Sequence, residues 1–556
     1  MELFVRIREI WSTVKGEYEA LRSIIGPVRL GKTELLMLFF RKAIYDVRLS
    51  YQTSSLGVRS VVLGLVILGG LLLLDNVTGR FSVVRRRGVP VLKQPEGARR
   101  WDYQGMLEEG RRKYPNSPYI IAQSGYDYVV YPSSCFDQVK RLPMSKASLL
   151  DFETHVFFQG WRFLGSDSSI LHKMIATDLS RALPESTPTR QKHTARGVQA
   201  VLGPCPEWKS ILLYKTIQEV VARTSAATFM APDLAENSWW LGAAQLFPMM
   251  TLLAVFVCHR TPRFARPVVA FIVFFPAWCI YWVMEMMLYP MVKRDISNFN
   301  AATRKGNAEK ETGPVSTGNL PITEWLMARY SPADRKVRQI ARDFISLAFE
   351  SIPATSATIY FILSELSCRP ELVNELREEV SQLLVDGQVP ANSLGELKKM
   401  DSVMRESARI NPFSYLGLYR RLSQPVKLPI GPELPAGTMI CVDVHHINTS
   451  QALWESPLEF DPMHFLKLRQ HPGQESRHQF TSLGADSPGF GDGPQACPGR
   501  FYASNSIKVF LCHFLMNYEI QLDPKAAKPK RNSMSNGSFS PDMFARIRVR
   551  ARKPQL

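Results

Sequence analysis

The sequence predicts a mainly α protein with a small β-rich part and an apolar segment near the N-terminus. Three stretches show its local elements, one helix, one strand and one apolar run. After Cys497, the residues Phe501, Ile507, Phe510, Leu511 and Phe514 fall largely on one helical face. The tail "FARIRVRAR" alternates Ala545, Ile547, Val549 and Ala551 with arginines, as a half-buried strand with a basic outer face does. The run "VVLGLVILGGLLLL", Val61 to Leu74, is wholly apolar.

The chain has 556 residues, of which 45% are hydrophobic and 21% charged, an ordinary globular composition with an apolar surplus. It carries 68 basic against 50 acidic residues, net +18. Such an excess suits a membrane surface or an acidic partner. Neither zinc-finger spacing nor a basic stripe interleaved with aromatics is present, which argues against nucleic acid as a partner. The 8 cysteines are scattered without a C-x-x-C pair, a pattern of reduced thiols rather than a disulfide framework.

Residues 1–55 read as an amphipathic or disordered extension. Within them "GPVRLGKT", Gly26 to Thr33, satisfies the phosphate-loop pattern. A working phosphate loop needs a buried strand before it, and the preceding "REIWSTVKGEYEALRSII" is charged and helix-like. Nucleotide binding is therefore not expected there. Residues 56–75 are expected to form a transmembrane anchor near the lower length limit for a span. They lie too deep in the chain for an ordinary cleavable signal peptide. The cluster Arg85–Arg87 follows as a cytosolic flank would, although Arg41, Lys42 and Arg48 precede it. A second run, "PVVAFIVFFPAWCIYWVM" (Pro267 to Met284), has Pro276 near its centre and Glu285 directly after it. It is expected to dip into one leaflet or to cover a greasy pocket, with a true span as the alternative.

The chemistry concentrates in "FGDGPQACPGR", Phe490 to Arg500. Three glycines and two prolines exclude a helix or a central strand. The helical pattern that follows puts Cys497 at a helix N-terminus, with Pro498 in the first turn. Helix-end N–H groups favour a thiolate there, and a thiolate is a good soft metal ligand. Upstream, "MDSVMRESARINP" places Glu406 and Arg409 three residues apart, close enough on a helix to pair.

Phe490, Gly493, Cys497 and Gly499 fit F-x-x-G-x-x-x-C-x-G, and Glu406 and Arg409 fit E-x-x-R. Together, in this order and at this distance, they resemble the cytochrome P450 family from about residue 90 to residue 556. The resemblance implies a helical haem domain with a small β-rich subdomain. It implies haem b with Cys497 as axial thiolate, Phe490 beside the haem, and Gly493 in the cysteine loop. Arg420 falls where the family places a propionate-binding arginine. Glu406 and Arg409 would brace the core, structurally rather than catalytically. "KLPIGPELPAGTMICVDVHHIN" resembles the family's strand pair after the E-x-x-R helix. Electrons would come from NADPH through a separate reductase, since no flavin domain fits in the remaining sequence.

Three departures stand out. The segment "FESIPATSATIYFILSELSCRPELVNELREEV" resembles the helix across the distal haem face. Pro353 and Ala354 occupy its acid and threonine positions, so the family's acid–alcohol pair for proton delivery is missing. Glu350, four residues before Ala354 and on the same face, and the neighbouring Thr355 are the candidate catalytic replacements. Pro353 is expected to kink this helix, with water in the gap. Second, Gln495 stands where a propionate-binding His or Arg is common, and donates without charge. Third, in "FDPMHF", His464 replaces the arginine that normally joins Glu406 and Arg409.

The resemblance is strongest to membrane-bound fungal enzymes of secondary metabolism. It implies a monooxygenase acting on a lipophilic small molecule such as a terpenoid or polyketide. The expected site is the endoplasmic reticulum membrane, single-pass, with the catalytic domain cytosolic. The missing acid–alcohol pair leaves open a haem-thiolate isomerase or dehydratase that does not activate oxygen. A membrane haem protein without turnover is the remaining alternative.

Overall fold

The computed structural model describes residues 87–92, 103–123, 126–158, 169–262, 264–304, 320–533 and 537–552, with positions 64, 67, 69 and 70. The chain divides into two units, Met1–Arg80 and Phe81–Leu556. In the first unit, Gly64, Ile67, Gly69 and Gly70 are helical. The 1–55 extension, the phosphate-loop look-alike and most of the expected 56–75 anchor lie outside the described residues.

The second unit is mostly helical. In chain order its principal helices are α1 (Tyr103–Lys113), α2 (Leu149–Val156), α3 (Ser169–Met174), α4 (Leu183–Leu202), α5 (Leu213–Phe229) and α6 (Ser238–Arg260). They continue with α7 (Arg266–Val273), α8 (Phe275–Arg304), α9 (Val337–Leu366), α10 (Pro370–Ser381), α11 (Lys398–Ile410) and α12 (Arg500–Asn517). Local chemistry sets several starts. Asn237 caps α6 by accepting from the N–H groups of Trp239 and Trp240. Ser148 caps α2 by accepting from Asp151 N at 3.0 Å, and Pro370 opens α10, where its missing N–H costs nothing.

The central element is α9. Its apolar residues, among them Ile340, Phe344, Ile345, Ile359 and Ile362, are buried, and it packs against α5, α8, α11 and α12. It runs without a break through Pro353.

The β part begins with β1 (Tyr119–Gln123), β2 (Tyr126–Tyr131), β3 (Ala147–Ser148), β5 (Leu416–Leu422) and β6 (Met439–Asp443). These form one sheet in the order β1-β2-β6-β5-β3, with β2 parallel to β6. Both faces are covered. Ile120 and Val129 point into one apolar cluster, and their neighbours Tyr119, Ile121 and Val130 point into another, as the period of two requires. The strand pair expected within "KLPIGPELPAGTMICVDVHHIN" is placed differently. Only β6 lies in that stretch; its antiparallel partner β5 precedes it, and the residues between form a loop with one isolated bridge, Val426 to Leu434.

A second sheet has the order β4-β10-β7, from Lys209–Leu212, Arg546–Ala551 and Tyr518–Leu522. In β10, Ile547 and Val549 are fully buried while Arg548 and Arg550 lie over the Trp208 ring, as the alternation predicts. A hairpin of Arg531–Ser533 and Phe539–Pro541 completes the β structure.

Two further expectations change. In α12, Ile507, Phe510, Leu511 and Phe514 are buried, but Phe501 is exposed under the Arg500 guanidinium. One residue of the helical face therefore serves the surface instead. The run 267–284 is divided between α7 and α8, which meet at a 46° bend. Pro276 is not at the break but in the first turn of α8. The sequence reading missed α6, which is long and apolar enough to cross a membrane, with 44% of its most apolar window buried inside the protein. The window of α9 also passes on length and composition, but 72% of it is buried, so it is a core helix.

Candidate active site

One cavity of about 1320 Å³, including its mouth, lies between α9 and the cysteine loop. Leu347, Glu350, Ser351, Ala354 and Thr355 form its α9 wall, and Phe490, Cys497, Pro498 and Gly499 belong to the loop that lines it too. Thus the residues singled out on the distal segment and on the loop, far apart in sequence, line one space.

The loop is held by its backbone. Cys497 N donates to the Phe490 carbonyl at 2.8 Å, closing the turn. Gly493 has φ +68°, and a Cβ there would meet the Lys140 carbonyl at 2.5 Å, so no other residue fits. Asp492 anchors the same turn to Lys140 at 2.9 Å. The Phe490 ring meets Phe480 edge-on at 5.2 Å. Helix α12 starts at Arg500, so Pro498 precedes the first turn rather than lying in it.

The backbone N–H groups of Gly499 and Arg500 act on the Cys497 sulfur as expected for a helix start, but burial outweighs them and pushes the thiol up. The negative charge of Glu350 across the cavity pushes in the same direction, and Arg500 opposes it. The helix end alone therefore does not produce a thiolate here. A coordinated metal, which deprotonates its thiol outright, would.

The remaining predicted residues are placed as follows. Glu406 and Arg409 are buried and pair through two bonds, Nε to Oε2 at 2.8 Å and Nη2 to Oε1 at 2.7 Å. Arg409 also donates to the carbonyls of Asn448, Pro457 and Glu459, and Asp461 N donates to Glu406. Backbone groups thus close this network. His464 instead packs edge-on against Trp454 at 5.0 Å, and burial holds its pKa below the usual histidine value.

The Gln495 amide is engaged at both ends, accepting from Leu149 N at 2.6 Å and donating to the Ala147 carbonyl at 2.9 Å. It ties the loop to β3 and α2.

Arg420 is 1% exposed. Its Nη1 donates to the Tyr419 carbonyl at 2.8 Å, while Nε and Nη2 are buried without a partner. Burial lowers its pKa to about 10, against the pull of Glu153. Such a state is expensive unless a carboxylate completes it. A haem, with two propionates, an iron needing a thiolate and an apolar ring, meets each of these demands. The residues present fit it.

Sequence reasoning missed three polar groups at the cavity end of the site. His172 Nε2 lies 4.0 Å from Glu350 Oε1, and interaction with Glu350 raises its pKa. Glu153 is pushed up to about 7 by the protein packed around it and by the Glu350 charge, although its side chain is exposed to solvent. Ser351, on the cavity wall, has a buried hydroxyl without a partner. None belongs to a local motif; only the tertiary fold collects them.

A cysteine loop that faces a long core helix across one cavity fits a haem-thiolate protein. Comparison with known proteins agrees. The cytochrome P450 family model matches residues 330–543. Cytochrome P450 monooxygenase ffsD of Aspergillus flavipes is 39% identical over 538 residues, 96% of this chain and 98% of that protein. Pyrichalasin C-18 hydroxylase of Pyricularia grisea is 35% identical over 540 residues, again 96% and 98%. Among solved structures, retinoic acid bound cyanobacterial CYP120A1 superposes with a TM-score of 0.58 at 15% identity, over 81% of this chain and 95% of that one. The chain belongs to the cytochrome P450 family, and it is a cytochrome P450 monooxygenase of the fungal secondary-metabolite type.

Proposed function

We propose that Cys497 holds haem b through its sulfur and that the enzyme oxidises a lipophilic small molecule, a terpenoid- or polyketide-type secondary metabolite. The observation that carries this is the shared cavity: the cysteine sulfur and the α9 wall line one largely apolar space. When bound, the haem supplies oxygen activation with electrons from NADPH through a separate reductase. The protein's own part is to seat the ring, exclude water and move protons. Arg420 would meet a propionate with its two unpartnered nitrogens, Nε and Nη2. Glu350 and Thr355, both on the cavity wall, would hold protons where the usual acid–alcohol pair is absent.

Since one relative is named a pyrichalasin C-18 hydroxylase, a pyrichalasin-type compound is a reasonable first substrate to try. The test is co-expression with a reductase, feeding of candidate compounds and product analysis. A carbon monoxide difference spectrum of the wild type and Cys497→Ser comes first; pigment and turnover that survive in the variant would sink the proposal. For the proton route, product formed per NADPH is compared in Glu350→Ala and Thr355→Ala, and unchanged coupling in both removes their role. Pro353 and Ala354 keep one second reading alive, an isomerase or dehydratase. Turnover without NADPH or oxygen would favour it.

The exposed Trp239, Leu253, Phe271, Ile272, Trp278 and Trp282 on α6–α8 support a membrane-seated surface on the catalytic domain. They fit attachment to the endoplasmic reticulum membrane with an N-terminal anchor. Carbonate extraction of the full chain and of a chain lacking residues 1–80 measures the two contributions.

A further inference from the structure

Helix α9 carries a polar stripe that the family pattern does not explain. Gln339, Asp343, Ser346, Glu350 and Ala354 recur at steps of four, three, four and four, so they share one face. The stripe leads from the N-terminal part of the helix to the cavity wall. At its outer end, half-buried Gln339 donates to Tyr330 Oη at 3.2 Å. Tyr330 Oη in turn donates to Asp343 Oδ2 at 2.7 Å. Asp343 is fully buried. One turn further, Ser346 is 6% exposed and its hydroxyl has no partner. One more turn leads to Glu350 on the cavity wall, beside His172.

A carboxylate and an orphan hydroxyl inside a core helix are both costly. An unpaired buried hydroxyl loses its hydrogen bonds to water and gains none in return. The stripe therefore calls for a reason, and packing does not supply one. Successive members are one helical turn apart, about 5.4 Å along the axis, a spacing that single waters bridge. A buried water at Ser346 would satisfy its hydroxyl and connect both neighbours.

We infer that Tyr330, Asp343 and Ser346 form a proton path along α9 that recharges Glu350 from the surface, in place of the absent acid–alcohol pair. This rests on the reading of Glu350 as the cavity's proton holder. Glu350 releases its carboxyl proton into the cavity. The Ser346 hydroxyl, through bridging water, passes one proton to Glu350 and takes one from the Asp343 carboxyl. Asp343 is reprotonated from solvent by way of the Tyr330 hydroxyl, which likewise gives one proton and takes one. No electron moves. Asp343 and Ser346 are positioning and relay groups; neither lines the cavity.

The test uses the full-length holoenzyme with its reductase, measuring product formed per NADPH consumed. In Ser346→Ala and Asp343→Asn the ratio is expected to fall roughly threefold or more, within the range a positioned proton donor contributes. Ser346→Thr, which keeps a hydroxyl, restores it. The substrate-induced spectral shift keeps its midpoint in all three. A second readout needs no turnover: the pH midpoint for modification of His172 by diethyl pyrocarbonate, followed by mass spectrometry in the resting protein. Asp343→Asn lowers that midpoint, because the Asp343 charge reaches His172.

Unchanged coupling in both Ser346→Ala and Asp343→Asn overturns the path, and so does an unmoved His172 midpoint. If Asp343→Asn does not accumulate as folded protein, Ser346→Ala against Ser346→Thr decides alone. Glu350→Ala separates the two levels. Lost coupling there with intact coupling in the relay variants keeps Glu350 and removes the path. Intact coupling in Glu350→Ala removes the reading beneath it.

Discussion

Arg409→Lys keeps the charge of the buried pair and removes its geometry. Arg409 uses all its donors: two to Glu406 and three to the carbonyls of Asn448, Pro457 and Glu459. Lysine offers three donors from one nitrogen, against five in a planar fork. At least two acceptors in a buried setting therefore lose their partner. At about 1–3 kcal/mol each, the expected loss is about 2–6 kcal/mol. That range overlaps the roughly 3–5 kcal/mol for breaking a buried ion pair outright. The measurement is a denaturant titration of the holoprotein, followed by tryptophan fluorescence and by the haem absorption band. Both transitions should move to lower denaturant together, with coupling per NADPH unchanged in the protein that remains folded. A variant within about 1 kcal/mol of wild type would refute the reasoning, because it would show that the carbonyl contacts carry no weight.

Three further outcomes follow from particular contacts. Gly493→Ala forces a Cβ to within 2.5 Å of the Lys140 carbonyl at φ +68°. Strain of about 1–3 kcal/mol is expected, read as faster haem loss to apomyoglobin. Arg420→Met removes two unpartnered buried nitrogens, Nε and Nη2. The haem-free protein should gain on the order of 2 kcal/mol in a denaturant titration, while the holoprotein loses its haem faster. Burial lowers the His445 pKa from 6.5 to about 4, with Asp443 opposing and Arg111 reinforcing the shift. The unfolded chain therefore binds this proton at higher pH than the fold does. The stability that the neutral ring contributes is complete above pH 6.5 and is lost as pH falls towards 4, by roughly 3 kcal/mol in total. His445→Gln should flatten the denaturant midpoint against pH across that window; an unaltered slope would show that His445 is not the group that titrates.

How far sequence reading reached depended on the range of the interactions involved. The cysteine loop was legible because its determinants are local: Gly493 at positive φ and the bond from Cys497 N to the Phe490 carbonyl lie within eight residues of each other. Glu406 and Arg409 were legible because a helix brings residues three apart together. The β10 strand was legible from its period of two. The partners of these motifs were not. The groups that close the Arg409 network are backbone carbonyls, which no side-chain pattern reports. Gln495 was read as facing a propionate, yet its amide binds backbone more than 300 residues earlier in the chain. Helix α6 was overlooked with Pro248 in its interior, a residue that reads as a helix breaker.

The sequence by itself determined the local chemistry: a thiol in a rigid turn, a paired Glu and Arg on one helix, Pro353 and Ala354 between Glu350 and Thr355 on one segment, and the apolar runs. Tertiary structure alone decided what those pieces face. It brought His172 to 4.0 Å from Glu350, left two nitrogens of Arg420 buried and unpartnered, and ended the Asp343–Ser346–Glu350 stripe at the cavity wall. The reason is physical. Periodicity and turn chemistry act over a few residues, whereas desolvation and charge pairing depend on which segments the core packs together.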